Sequence, residues 1–170
     1  LDRLGNPLSD ADYTDGYAAA QAVARIAEYA PNYHANGTPF FLAVGFQKPH
    51  LPFNCPKAYW DLYDPGAIDL SGYTGIREMP AGCNKFTAPY GGEPKAFDDV
   101  TGTSDNGMPT AAEARPLIHG YLACVSFIDA QVGKLLDALE DPDGNPATDD
   151  SIADHTIVVL WGDHGFHLGD

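Results

Sequence analysis

Two continuous apolar runs of strand length, TPFFLAVGF at residues 38 to 46 and HTIVVLWG at 155 to 162, constrain this chain more than any other feature. Neither alternates apolar with polar residues, so each suits a strand buried on both faces, as in a parallel sheet. Parallel strands need a crossover, and between these two lies the strongest helical pattern, AEARPLIHGYLACVSFIDAQVGKLLDALE, at roughly 112 to 140. Leu117, Ile118, Tyr121, Leu122, Val125, Ile128, Val132, Leu135, Leu136 and Leu139 fall on one broad face of that helix. Pro116 fits its first turn, where the missing N–H costs nothing. An earlier helix is expected over residues 10 to 30, with aspartates at its start, where the helix dipole favours negative charge. Pro31 is expected to end it. Strand, helix and strand in this order give an α/β class: part of a mostly parallel sheet with flanking helices.

Residues 51 to 112 break the pattern, being rich in Pro, Gly and aromatics without sustained periodicity. One helical turn is expected around Lys57 to Tyr63, within a long irregular excursion. Excursions of this length suit a binding role or a poorly ordered insertion alike. DPDGNPATDD, after the long helix, has acidic spacing that suggests a cation. It lacks the EF-hand register and closing Glu, so it reads as a loop.

The length of 170 residues fits one domain with a sizeable core. A net charge of -15 repels phosphate backbones and anionic lipid, which argues against nucleic-acid and membrane partners. No apolar run reaches the roughly 18 residues that span a bilayer. No basic segment followed by an apolar stretch opens the chain, so these residues hold no signal peptide. The three cysteines, Cys55, Cys83 and Cys124, lack zinc-site spacing. Cys124 reads as a small core residue, whereas Cys55 and Cys83 flank one Pro/Gly-rich region as a bridge or as two thiols.

In open parallel sheets, ligands sit beyond the carboxyl ends of the strands. Lys48-Pro49-His50 follows the first run and Gly162-Asp163-His164-Gly165 follows the second. If the strands are near neighbours, Lys48, His50, Asp163 and His164 converge on one pocket. A carboxylate and an imidazole between glycines suit two ligands of a divalent metal, although a plain Asp-Gly turn beside a solvated histidine is the simpler reading of the spacing. Lys48 and His50 suit an oxyanion, with the imidazole handing a proton to a leaving group. From the residues alone, a strand-end charge and a turn residue are the simpler reading. His119 reads as a core residue on the long helix. His34 reads as a loop residue and His155 precedes the second run, neither with a partner in the sequence; His167 sits at the edge of the second cluster. Tyr59, Trp60 and Tyr63 suit core packing better than sugar stacking.

Three blocks together, PFFLAVGFQKPHLPFNCPKAYWDLYDP, YLACVSFIDAQVGKLLDAL and TIVVLWGDHGFHLGD, closely resemble the sulfatase family of the alkaline-phosphatase superfamily, most of all its iduronate-sulfatase branch. The resemblance implies an alkaline-phosphatase-like α/β sandwich that hydrolyses sulfate esters, including those of sulfated carbohydrates. It implies that Asp163 and His164 are metal ligands, and that His50 contacts the sulfate and protonates the leaving oxygen. Lys48 takes the place of a basic residue near the sulfate. The metal implied is usually calcium. An imidazole ligand is unusual for so hard an ion, which leaves manganese, magnesium and zinc open. The nucleophile implied is a formylglycine made from a C/S-x-P/A-S-R motif. A periplasmic, secreted or lysosomal setting is implied as well.

CPKAY, CNKFT and CVSFI all depart from that nucleophile motif, and the family's paired early aspartates are missing. The chain therefore reads as the middle of a single longer sulfatase domain, inactive alone, without its N-terminal catalytic third and C-terminal subdomain. The alternatives are a phosphodiesterase or phosphonate hydrolase of the same superfamily, or a non-catalytic metal- or glycan-binding module.

Overall fold

The computed structural model describes residues 8–71, 73 and 109–166. Three α-helices organise them: α1 (Thr14–Asn36), the single turn α2 (Lys57–Trp60) and α3 (Ala111–Glu140). α2 is the helical turn expected between Lys57 and Tyr63. A 3-10 turn, Asp10–Asp12, leads into α1, and another, Pro65–Ala67, follows α2.

α1 departs from its expected end at a proline, while α3 keeps its expected bounds and differs only in where Pro116 falls within it. α1 runs through Pro31 and stops at Gly37, whose φ of 64° lets its N–H close the helix on the Tyr33 carbonyl at 2.7 Å. Pro31 is solvent-exposed, and Tyr33 beyond it packs against the core, so tertiary contacts carry the helix past the break. This also moves His34 from a loop into the last turn, where its Nε2 lies 2.7 Å from the Asp150 carbonyl. α3 begins earlier than Pro116 requires. Thr110 accepts from the Glu113 N–H, and Glu113 accepts from the Thr110 N–H at 2.9 Å, a reciprocal cap that starts the helix at Ala111. Pro116 therefore sits in the helix body rather than its first turn.

α1 packs on α3. The buried side of α1 is small, with Ala19, Ala22, Ile26 and Ala30. That of α3 is also small, with Ala114, Ala123, Cys124 and Ala138 around Phe127 and Gln131. This differs from the expected face of large aliphatics. Val125 is 41% exposed and Leu136 is 43% exposed, because α1 covers the small-residue side of a helix that is apolar over a wider arc. His119 is buried as expected, with Nε2 2.9 Å from the Trp60 carbonyl and its ring 4.2 Å from the indole. Tyr59 packs on Phe127 and Tyr63 on His119, both half-buried as expected of core packing, whereas Trp60 lies against His119 but stays exposed. Cys55 and Cys124 are buried free thiols in one core cluster, and Cys83 lies outside the described residues.

The expected parallel sheet does not form: among the described residues there is no β-strand. A strand needs a neighbour to take its backbone hydrogen bonds, and neither apolar run has one among these residues. Residues 40 to 46 nonetheless alternate in burial with the two-residue period of an extended chain. Phe40 and Leu42 pack against Ile26, Ala30, Leu139 and Ile152, while Phe41 is 91% exposed. The second run, Ile157 to Trp161, is exposed at every position. Each such side chain forgoes about 1.5–3 kcal/mol of burial, and contiguous apolar surface of this kind marks an interaction face.

A polar hub ties the first turn to both helices. Asp10 Oδ2 accepts from Tyr59 Oη at 2.9 Å, from Gln131 Nε2 at 2.9 Å and from Lys134 Nζ. Burial alone would push this carboxyl up, but hydrogen bonds from Lys134, Gln131 and Tyr59 outweigh it and hold Asp10 below its ordinary value. Burial and the same carboxylate push Tyr59 up to about 12. Because the folded Asp10 pKa is depressed, its stabilisation is complete above the unfolded value of about 3.9 and is lost as pH falls through the folded value. Urea midpoints should therefore drop between pH 6 and pH 3, and Asp10→Asn should flatten that drop.

Candidate functional site

The first polar cluster begins where the apolar run 38–46 ends. Lys48 turns back into its own loop, its Nζ donating to the His50 carbonyl at 3.0 Å and the Pro52 carbonyl at 2.8 Å. The Lys48-Pro49 and Leu51-Pro52 peptide bonds are cis. His50 is exposed, with Nδ1 2.9 Å from the Leu51 carbonyl. A carbonyl can only accept, so Nδ1 carries a proton, and in the neutral ring Nε2 is the basic nitrogen.

A residue missed in the sequence anchors this loop. Asp15, in the first turn of α1, accepts from the backbone N–H groups of Gln47 at 2.7 Å and Lys48 at 3.0 Å. Asp15 is 3% exposed, and its place in an aspartate-rich helix start disguised it as one more favourable dipole charge.

The second cluster lies at the end of Ile157 to Trp161. Asp163 and His164 are exposed, and Asp163 Oδ1 accepts from the His164 N–H at 3.0 Å. That local bond uses one of the two carboxylate oxygens. Among the described residues, the His164 ring makes no hydrogen bond. An exposed carboxylate beside an imidazole is a donor pair that fits a divalent cation. Two ligands are too few to retain one.

The two clusters meet through aromatic rings. Phe166, two residues after His164, sits edge-on to His50 with ring centroids 6.1 Å apart, and to Phe53 at 5.6 Å. Tyr121 of α3 closes the group, 5.7 Å from Phe53 and 6.4 Å from Phe166. Gly165 runs against Tyr121, where an added Cβ would lie 3.3 Å from the hydroxyl. Two clefts lie elsewhere, one lined by Ser9, Asp10, Pro56 and Lys134, the other by Tyr33, Phe40, Ile152 and His155. Neither includes Lys48, His50, Asp163 or His164. His155 packs instead on Tyr33, and His167 lies outside the described residues.

The loop after α3 is a loop, as its spacing indicated, with Gly144 at a φ of 71°. Asp141, Asp143 and Asp150 bring carboxylate oxygens within 4.8 Å of one another there. This group shares no residue with the strand-end clusters.

No helix among the described residues is long and apolar enough to cross a membrane. The family model described as Sulfatase matches residues 4–170. A sulfatase of Formosa agariphila is 37% identical over 134 residues, covering 78% of this chain and 23% of that protein. Human iduronate 2-sulfatase is 33% identical over 138 residues, covering 79% of this chain and 23% of that protein. The choline-sulfatase of Rhizobium meliloti is 26% identical over 139 residues, covering 78% and 22%. The chain thus spans about a quarter of the length of the curated relatives it matches.

Proposed function

The chain belongs to the sulfatase family, and from that premise we propose that it supplies the strand-end half of a sulfate-ester hydrolase active site within a longer protein. The observation that carries this reading is the approach of the segments that follow the two apolar runs, with Phe166 against His50 at 6.1 Å. The exposed run Ile157 to Trp161 supports it too, since neighbouring strands in a longer protein would bury that surface and complete a parallel α/β sheet. In this reading residues 1–170 are the central part of one such domain.

Sulfate-ester cleavage places negative charge on the sulfuryl oxygens and on the departing oxygen, so stabilisers belong at both. Asp163 and His164 would hold a divalent metal, calcium by family habit, with further ligands from elsewhere in the protein. That metal would supply Lewis-acid polarisation of the sulfate. Lys48 adds positive charge beside the sulfate while its contacts to the His50 and Pro52 carbonyls keep the loop closed. His50 carries the proton for the departing oxygen on Nε2. The Leu51 carbonyl at Nδ1 orients the ring. The nucleophile, a formylglycine, belongs to residues outside these 170. A sulfated carbohydrate is the substrate class, following the likeness to iduronate 2-sulfatase, and a periplasmic, secreted or lysosomal setting is the reading taken from the family.

The test is a kinetic comparison of an aryl sulfate with an aryl phosphodiester, using the complete protein. A kcat/KM favouring the sulfate is expected. Preference for the phosphodiester would transfer the site to phosphoryl chemistry, and cation binding without turnover of either would leave a binding module.

A further inference from the structure

Aspartate is rarely buried without partners, and Asp15 is the one buried carboxylate among the described residues. Its two oxygens are divided between consecutive backbone N–H groups, Oδ1 to Gln47 at 2.7 Å and Oδ2 to Lys48 at 3.0 Å. Hydrogen bonds to an ionised acceptor are the stronger kind, and two at once fix orientation as well as position. The clamp falls where the extended run gives way to the loop carrying His50.

The same end of α1 grips the far side of that loop. Tyr13 Oη donates to the Cys55 carbonyl at 3.0 Å, and Tyr59 Oη donates to Asp10 at 2.9 Å. Residues 47 to 59 are thus held from 10 to 15 at both ends, with His50 between the holds. Lys48 Nζ is committed within the loop, so it does not tie the loop to α1. Asp15 thus holds the His50 side of the loop to the helix with a buried carboxylate.

We infer that Asp15 is a positioning residue for sulfate-ester cleavage: its buried carboxylate, holding the Gln47 and Lys48 N–H groups, sets where His50 presents its proton to the departing oxygen. This rests on the assignment of His50 proposed above. Its consequence is specific, because a misplaced acid penalises poor leaving groups and spares good ones.

The experiment measures kcat and KM of the complete protein on aryl sulfates whose phenols rise in pKa, for Asp15→Asn, Asp15→Glu and His50→Ala. The Asn variant turns an amide N–H₂ toward one of two backbone donors. The Glu variant keeps the charge but displaces it by a methylene. For the poorest leaving groups, kcat should fall about 10- to 100-fold in Asp15→Asn and less in Asp15→Glu, in line with the cost of an ångström-scale misplacement. The loss should shrink toward the best leaving groups, with KM nearly unchanged and the pattern of His50→Ala reproduced in weaker form. A leaving-group-selective His50→Ala beside a uniform loss, or none, in the Asp15 variants would overturn the positioning role alone. A His50→Ala loss that ignores the leaving group would overturn the His50 assignment and the Asp15 role with it. Should Asp15→Asn not fold, the slope shown by Asp15→Glu decides by the same criterion.

Discussion

Replacing His50 by alanine in the complete protein is expected to lower kcat for aryl sulfate hydrolysis by about 10²- to 10⁴-fold, the range for losing a general acid. The fold should scarcely register the change. His50 is exposed, its Nδ1 lies 2.9 Å from the adjacent Leu51 carbonyl, and Lys48 uses the His50 backbone rather than its side chain. An unchanged urea midpoint beside the fall in kcat would separate chemistry from stability. Retention of activity within tenfold would remove His50 from the reaction.

The largest expected effect on stability comes from Gly16→Ala. Gly16 is buried in the first turns of α1, where an added Cβ would overlap the carbonyl oxygen of Asp10 and lie 3.2 Å from the Ala11 nitrogen. The obstruction is backbone, so no side chain can swing aside. The 3-10 turn Asp10–Asp12 must move, and with it the carboxylate that receives Tyr59, Gln131 and Lys134. Overpacking commonly costs about 1–3 kcal/mol, and losing buried hydrogen bonds adds to it, so about 3 kcal/mol or more is expected. Denaturant unfolding of wild type and variant checks this. A change below about 0.5 kcal/mol, ordinary for surface substitutions, would show that the turn is not packed against α1 as described.

What the sequence disclosed depended on whether a feature was local. α3 was readable because a cap and thirty helical residues are determined within the segment itself. The burial of its two sides was not. Periodicity identifies an apolar arc but cannot say that α1 will cover the alanines and leave Val125 and Leu136 to another partner. Pro31 misled for a similar reason, since the packing of Tyr33 and the turn at Gly37 both lie beyond it. The strand-like runs were extended chain, as residues 40 to 46 demonstrate, yet pairing is a property of neighbours and none is available among the described residues. The strand-end pairs Lys48/His50 and Asp163/His164 were visible as chemistry placed after apolar runs. Asp15 was hidden because its partners are backbone groups 32 and 33 residues away, which leave no mark on residue type.

In the proposed function Asp163 and His164 hold a metal that works with His50 on one sulfate ester. The metal dependence of aryl sulfate turnover by the complete protein, wild type and Asp163→Asn, tests this after removal of divalent ions with a chelator. Turnover should vanish on stripping and return with an added divalent cation. The variant should require a markedly higher cation concentration, at least about tenfold, the lower range even for losing a residue that merely supports a ligand. Full turnover in the stripped protein, or identical cation requirements for wild type and Asp163→Asn, would contradict the claim.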